Sequence, residues 1–383
     1  MKTIDFAGNP YASLSPPVWR GSTVVFDSFE DFVDRKRRQP DGYSYGTTGT
    51  PTARQLESKI AQLEGAQHCL VMPSGAAALI TTVLAFVRGG DHLLIADSCY
   101  GSLKAFAELW LQRMGVDVEF YPPTLDDGIE SLIRSNTRMI CLEAPGTVTM
   151  EMQDIDAITR IARRHGVLTM MDNTWASPLF CKALDHGVDF VIQAVTKYLG
   201  GHSDLLMGSV SLNDREHYAT LRETQSVFGQ ATSPEDCFLV ERGLQTYPLR
   251  LREQSCKALS VARWLETQPM VEQVLFPALE SDPGHRIWRE QFQGCGCLLS
   301  VILTPTEQES AFAAFFNTLQ LFPIGASWGG TRSLIAYYPA ELQRARRYSP
   351  TDQPVVRISV GLEDEALLTQ DLEQALKAYA AAR

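Results

Sequence analysis

The sequence predicts an α/β fold: a large, mostly parallel sheet with helices on both faces, followed by a smaller C-terminal α/β domain. Three observations predict it. Between residues 53 and 212, apolar runs of strand length alternate with stretches of helical spacing, the pattern of a doubly wound sheet. Two of the runs, Val167 to Met171 and Val188 to Val195, are largely apolar, as in strands covered on both faces. The chain has 383 residues, more than the roughly 100 to 200 of one domain, which leaves room for a second.

Residues 1 to about 50 are rich in Pro, Gly, Ser and aromatics, and they read as an extended arm that must pack on another part of the protein or on a partner subunit to be ordered. The basic run Arg35 to Arg38 reads as a solvated helix face. Leu56, Ile60 and Leu63 recur at helical spacing within Ala53 to Glu64, and His68 to Met72 is a strand. Pro73 to Ala78 then opens a helix, whose first backbone N–H groups are free for a phosphate, although many α/β turns look alike. Strands follow at His92 to Ala96, Val118 to Tyr121 and Met139 to Glu143, with helices at Leu103 to Met114, Gly128 to Ile133 and Ile155 to Arg164. After a strand at Leu205 to Leu212, a long amphipathic helix near Pro248 to Glu266 leads into the second domain. That domain holds β-rich stretches at Cys297 to Leu303 and Val355 to Val360 and a terminal helix at Glu365 to Ala381. The expected division is an arm at 1–50, a cofactor domain at 51–245 and a C-terminal domain at 246–383.

Composition excludes several classes of function. A net charge of −11 argues against nonspecific nucleic-acid binding. No apolar run reaches the roughly 18 residues of a membrane span, and Met1 to Pro10 has no signal-peptide pattern. The eight cysteines, many within apolar runs, read as core residues of a cytoplasmic protein without a disulfide framework. Cys295-Gly296-Cys297 lacks the two-residue spacer of common zinc sites, so no metal is expected.

Chemistry concentrates where the two apolar runs end, at Asp172 and Lys197. In open α/β sheets the ligand crevice lies outside the carboxyl ends of the strands, so both charges project into one crevice. An amine that can bond an aldehyde and an acid that keeps a pyridine nitrogen protonated are what pyridoxal 5'-phosphate (PLP) requires. The bland alternative is a structural pair at strand ends. Tyr100 lies just past another strand end, where its ring could stack on a pyridine or simply start a helix. Arg357 sits inside the apolar run Pro354 to Val360, where a guanidinium needs a partner: a bound carboxylate, or an internal salt bridge with Glu363 or Asp364.

Taken together, the stretch from Asp172 to Asp204 resembles the lysine region of the PLP-dependent Cys/Met-metabolism enzymes, most of all the bacterial cystathionine β-lyases. It includes Asn173-Thr174-Trp175, Thr196 beside the lysine and the polar turn Gly200 to Asp204. The resemblance covers essentially the whole chain. It implies the fold-type-I PLP architecture and a homotetramer of dimers that share active sites. It assigns Lys197 as the cofactor-bearing lysine and general base, Asp172 as the partner of the pyridine nitrogen, and Tyr100 as the stacking ring. The same resemblance implies that Gly75 and Ala76 hold the phosphate through their backbone, that Thr196 adds to the cofactor site and that Tyr45 reaches the phosphate of the adjoining subunit. On the substrate side it assigns Arg357 to the α-carboxylate and places Ser327 and Trp328 in a loop of Gly325 to Gly330.

There are departures. The family's arginine two residues after the tyrosine is Thr47 here, which removes half of the usual cross-subunit phosphate clamp. Ser226 and Ala326 stand where close relatives carry aromatic residues. Gly146 and the Ser-Trp pair side with the β-lyases, and Ser102 and Ala326 lack the features of the γ-lyases. The expected reaction is α,β-elimination of L-cystathionine to homocysteine, pyruvate and ammonia in methionine synthesis. The alternatives are other cysteine S-conjugates or cystine, γ-elimination, and a non-catalytic binding or regulatory protein. A dinucleotide-dependent oxidoreductase is disfavoured, because Pro73-Ser74-Gly75 is not G-x-G-x-x-G.

Overall fold

The computed structural model describes residues 4–6 and 9–383, beginning with a short hairpin of β1 (Ile4–Phe6) and β2 (Asn9–Tyr11). The rest of the arm has little core of its own. It lies along the start of helix Pro51–Glu64, where the Trp19 N–H donates to Thr52 Oγ1 at 2.8 Å, and it leaves Leu14 and Val25 almost fully exposed. The basic run forms a short 3₁₀ helix, Asp34–Arg38, with no buried residue, as the reading of a solvated helix face expects.

The large sheet contains β3 (His68–Met72), β4 (His92–Ala96), β5 (Asp117–Tyr121), β6 (Thr137–Glu143), β7 (Leu168–Asp172), β8 (Phe190–Gln193) and β9 (Gly208–Leu212). Their spatial order is β3-β9-β8-β7-β6-β4-β5. All pairs are parallel except those of β9, which runs against both β8 and β3. Leu93, Leu94, Ile95 and Ala96 of β4 are wholly buried, which is why that run reads as continuously apolar. The strand expected at Leu205 starts instead at Gly208. A Cβ on Gly208 would lie 2.3 Å from Ser74 O, so only glycine lets β9 pass the turn before helix Gly75–Phe86.

Flanking helices start and stop as their residues dictate. Helix Pro51–Glu64 is capped by Thr50, has proline in its first turn and ends at Gly65 with φ +72, while Leu56 and Ile60 face the core. The helix expected at Leu103 to Met114 begins at Gly101, widens over Ala107–Leu111 and tightens before Gly115. The helix expected at Gly128 to Ile133 is a 3₁₀ helix, Asp126–Leu132, that buries Ile129 alone and so has no apolar stripe to hold an α-helix.

Helix Tyr247–Glu266 leads to a second sheet of β10 (Val271–Leu275), β11 (Leu298–Leu303), β12 (Leu334–Tyr338) and β13 (Val355–Ser359), antiparallel in the order β10-β11-β13-β12. One continuous apolar core runs from Leu142 and Met171 through Trp175 and Tyr198 to Cys297 and Val356. Both sheets therefore pack on the segment that carries Asp172 and Lys197.

Candidate active site

Asp172 is the last residue of β7, and its parallel register partner on β6 is Glu143. Its Oδ1 accepts from the Thr174 N–H at 3.0 Å and the Thr174 hydroxyl at 2.6 Å. Thr174 in turn accepts from the Ala194 N–H at 2.8 Å, so one threonine ties the end of β7 to the turn that follows β8. Burial pushes the Asp172 carboxyl up, while the Thr174 bonds and the charge of Lys197 pull it back. Its Oδ2 accepts no hydrogen bond from the described residues.

Lys197 lies in that turn, where its N–H donates to Ala194 O at 2.9 Å. Thr196 pins the turn to the lead-in of β9, because its hydroxyl donates to Met207 O at 3.1 Å and accepts from the Met207 N–H at 3.0 Å. Lys197 Nζ donates to Ser327 Oγ at 2.9 Å and lies 5.2 Å from the centre of the Trp328 indole. Burial pulls the amine down to about 8, the charge of Arg357 adds to the shift, and Asp172 opposes it.

Ser74 caps helix Gly75–Phe86, and its hydroxyl accepts from the Ala77 N–H at 3.0 Å. The N–H groups of Gly75 and Ala76 precede the first intrahelical bond and have no acceptor among the described residues. A Cβ on Gly75 would lie 2.8 Å from Ala194 Cβ, which presses this helix start against the lysine turn.

On the opposite wall, Arg357 occupies the middle of β13 and is 5% exposed, so its charge needs compensation. Its Nη1 donates to Thr147 O at 3.0 Å and its Nη2 to Ala326 O at 3.4 Å, and the guanidinium lies 4.9 Å from the centre of the Tyr338 ring. The internal salt bridge weighed from the sequence is absent. Glu363 accepts from Ser333, and Asp364 caps the terminal helix Glu365–Ala382.

Tyr100 is half-exposed, and its N–H donates to Glu143 Oε2 at 2.6 Å. Glu143 was missed from the sequence although it carries the same signal as Asp172, an apolar run ending in an acid. Burial, reinforced by Asp172, pushes its carboxyl well above the usual range. The structure thus gathers Lys197, Asp172, Glu143, Tyr100, Arg357, Ser327 and Trp328 around one crevice. No hydrogen bond or ion pair joins Tyr45 or Ser226 to this cluster.

The donor set suits pyridoxal phosphate: a free carboxylate oxygen for a pyridine nitrogen, two free N–H groups for a phosphate and a partly neutral amine for an aldehyde. Two arginines of the arm and of the helix after it are engaged elsewhere. Arg54 is committed to Thr48 O, Pro40 O and Glu57, and Arg20 pairs with Glu235 at the surface.

Comparison with known proteins places residues 5–377 in a match to the family of Cys/Met metabolism PLP-dependent enzymes. A Rhizobium johnstonii protein provisionally named a cystathionine beta-lyase is 44% identical over 371 residues, spanning 96% of this chain and 92% of the relative. The cystathionine beta-lyase of Bordetella avium is 38% identical, spanning 96% and 94%. The L-alanine/L-glutamate racemase of Wolbachia pipientis wMel is also 38% identical, spanning 95% and 92%. Among solved structures, metB from Corynebacterium glutamicum superposes with a TM-score of 0.88 at 30% identity over 96% of this chain and 94% of that one.

Proposed function

The chain belongs to the Cys/Met metabolism PLP-dependent enzymes, with their fold-type-I architecture and pyridoxal 5'-phosphate as cofactor, and from that premise we propose that it is a carbon–sulfur lyase acting on L-cystathionine by α,β-elimination. The observation that carries this reading is the buried Arg357 guanidinium with no carboxylate partner, close enough to Lys197 for its charge to depress the amine. A buried cation with only carbonyl partners is matched by an α-carboxylate arriving from outside.

When bound, the cofactor supplies a protonated pyridine ring that withdraws electrons from Cα. Asp172 would hold the pyridine nitrogen through Oδ2, Gly75 and Ala76 the phosphate, with Thr196 fixing the turn beside it, and Tyr100 the face of the ring. Arg357 orients the substrate by its carboxylate. Lys197, held near Ser327, takes the Cα proton as general base, a role that its burial and the charge of Arg357 favour by lowering the amine toward its neutral form. The C–H electron pair becomes the Cα=Cβ bond as Cβ–S breaks, and sulfur leaves as the thiolate of homocysteine. Water then releases pyruvate and ammonia. Trp328 walls the amine and limits water around it.

The remaining features follow from the family reading and are part of the proposal. They are a cytoplasmic homotetramer of active-site-sharing dimers, an arm at residues 1–50 that carries Tyr45 to the neighbouring subunit, and domains at 51–245 and 246–383. No helix among the described residues is long and apolar enough to cross a membrane.

The test is product analysis of purified protein. Pyruvate from L-cystathionine with none from Lys197→Ala supports the reading. If 2-oxobutyrate is the main product, or if D-alanine accumulates from L-alanine without pyruvate from cystathionine, β-elimination is the wrong reaction.

A further inference from the structure

The segment joining β12 to β13 sends one arginine back onto the large sheet. Arg346 donates through Nε to Asp97 O at 3.2 Å, through Nη1 to Thr149 Oγ1 at 2.5 Å and through Nη2 to Glu151 Oε1 at 2.8 Å. Its charged end also lies 3.6 Å from Asp97 Oδ2, which accepts from the Tyr348 N–H at 2.9 Å, while Lys104 pairs with Asp97 Oδ1 at 3.1 Å. The ions are sequestered: the side chains are 12% exposed for Arg346, 1% for Asp97 and 7% for Glu151. Charge-assisted bonds among buried groups are the strong ones, and their geometry is held accordingly.

What these bonds hold is the frame of Arg357. The loop after β6 is folded back on itself, with the Gly146 N–H donating to Glu151 O at 2.9 Å and the Thr147 N–H to Ser98 O at 3.0 Å. Met150 in this loop has φ +59, a left-handed conformation that a non-glycine residue keeps only when its surroundings enforce it. Arg357 grips one end of this loop at Thr147 O, and Arg346 grips the other at Thr149 and Glu151. Asp97, the third partner, lies three residues before Tyr100.

We propose that Arg346 is a positioning residue for substrate: through the Thr147–Glu151 loop it fixes the guanidinium of Arg357 in the orientation that receives the α-carboxylate. This rests on the reading of Arg357 given above. Arg346 makes no hydrogen bond to Lys197, Asp172 or the Gly75–Ala76 turn, so its direct bonds lie on the substrate side of the crevice and at Asp97.

The test uses holoenzyme and two ligands that differ by a carboxylate, L-alanine and ethylamine, with binding followed by the cofactor's absorption band. Arg346→Met is expected to weaken L-alanine about tenfold and leave ethylamine unchanged, because a small misplacement of one anchor is costly only to the group it anchors. Arg346→Lys, which can reach one acid but not two, falls between. In an Arg357→Ala background the Arg346→Met effect should vanish, the mark of two residues acting through one contact. Equal weakening of both ligands, no weakening of either, or full additivity with Arg357→Ala overturns the proposal. If Arg357→Ala does not distinguish the ligands, the carboxylate reading is what fails, and this proposal falls with it. Should Arg346→Met not fold, Glu151→Gln gives the same comparison from the other side of the bond.

Discussion

The amine of Lys197 is pulled down to about 8 because burial and the charge of Arg357 both favour the neutral form, against Asp172. In cofactor-free protein, acylation of Lys197 should therefore rise with pH through a midpoint near 8, while exposed lysines rise through about 10.4. Removing a like charge must raise the midpoint and removing an opposite one must lower it, so Arg357→Gln moves it up and Asp172→Asn moves it down. Peptide mapping by mass spectrometry reads all three, and an unshifted midpoint in both variants would contradict the proximity of these charges. Asp172, Lys197 and Arg357 were legible in the sequence because each is a charge that an apolar run does not accept without a task. Glu143 sent the same signal but could be recognised only once β6 and β7 were seen as neighbours. Arg346 sent none, since it stands among Arg344 and Arg347 in a polar stretch and its acidic partners, Glu151 and Asp97, lie 195 and 249 residues away.

Three elements meet behind the crevice, and their junction is polar. Glu64, the last residue of helix Pro51–Glu64, is wholly buried, and its Oε1 accepts from Gln193 Nε2 of β8 at 2.9 Å. The same amide donates to Asn173 O, just past β7, at 3.2 Å. Glu64 Oε2, Gln193 Oε1 and Asn173 Oδ1 have no hydrogen-bond partner among the described residues. Burial pushes the Glu64 carboxyl up from 4.5 to about 8. The folded state thus keeps a proton that the unfolded chain releases, and Glu64 costs stability progressively as pH rises from about 4.5 to about 8. Glu64→Gln cannot ionise. Denaturant midpoints should show it gaining on the wild type between pH 5 and pH 8, by a few kcal/mol at most on the scale of roughly 1.4 kcal/mol per pKa unit. Asp172 and Glu143 are raised too, so both proteins still lose stability with pH, and the prediction concerns the difference. A difference independent of pH would refute it. Most helices and strands were readable from spacing, because buried faces repeat at the period of the element. The direction of β9 was not, since an apolar run reads the same either way, nor was the 3₁₀ form of Asp126–Leu132, because so few residues fit either helix.

The whole molecule is where Thr47 matters. Arg54, seven residues after Thr47, and Arg20 in the arm are both engaged elsewhere. A charge-assisted bond to phosphate is worth about 1.5 to 3 kcal/mol, or roughly one to two decades in affinity. Thr47→Arg should therefore slow PLP loss on dialysis and raise the melting temperature of the holoenzyme while leaving the cofactor-free protein unchanged. Unaltered or faster loss would show that the phosphate is already neutralised by another group. The two-sheet plan was legible because alternation and chain length constrain it, whereas the shared core through Trp175 and Tyr198 depends on contacts that no local pattern encodes. The place of β9 between β3 and β8 also sets an order of assembly. β3 is the first strand of the large sheet to be synthesised, and its one hydrogen-bonded neighbour in the sheet is β9, some 140 residues downstream, so β3 cannot join the sheet until β9 is present. Closing so long a loop is slow. Ser74 and Gly75, packed on Gly208, are therefore fastened to the sheet only once β9 is in place, so the phosphate end of the crevice is completed by a strand from the far end of the large domain's sequence.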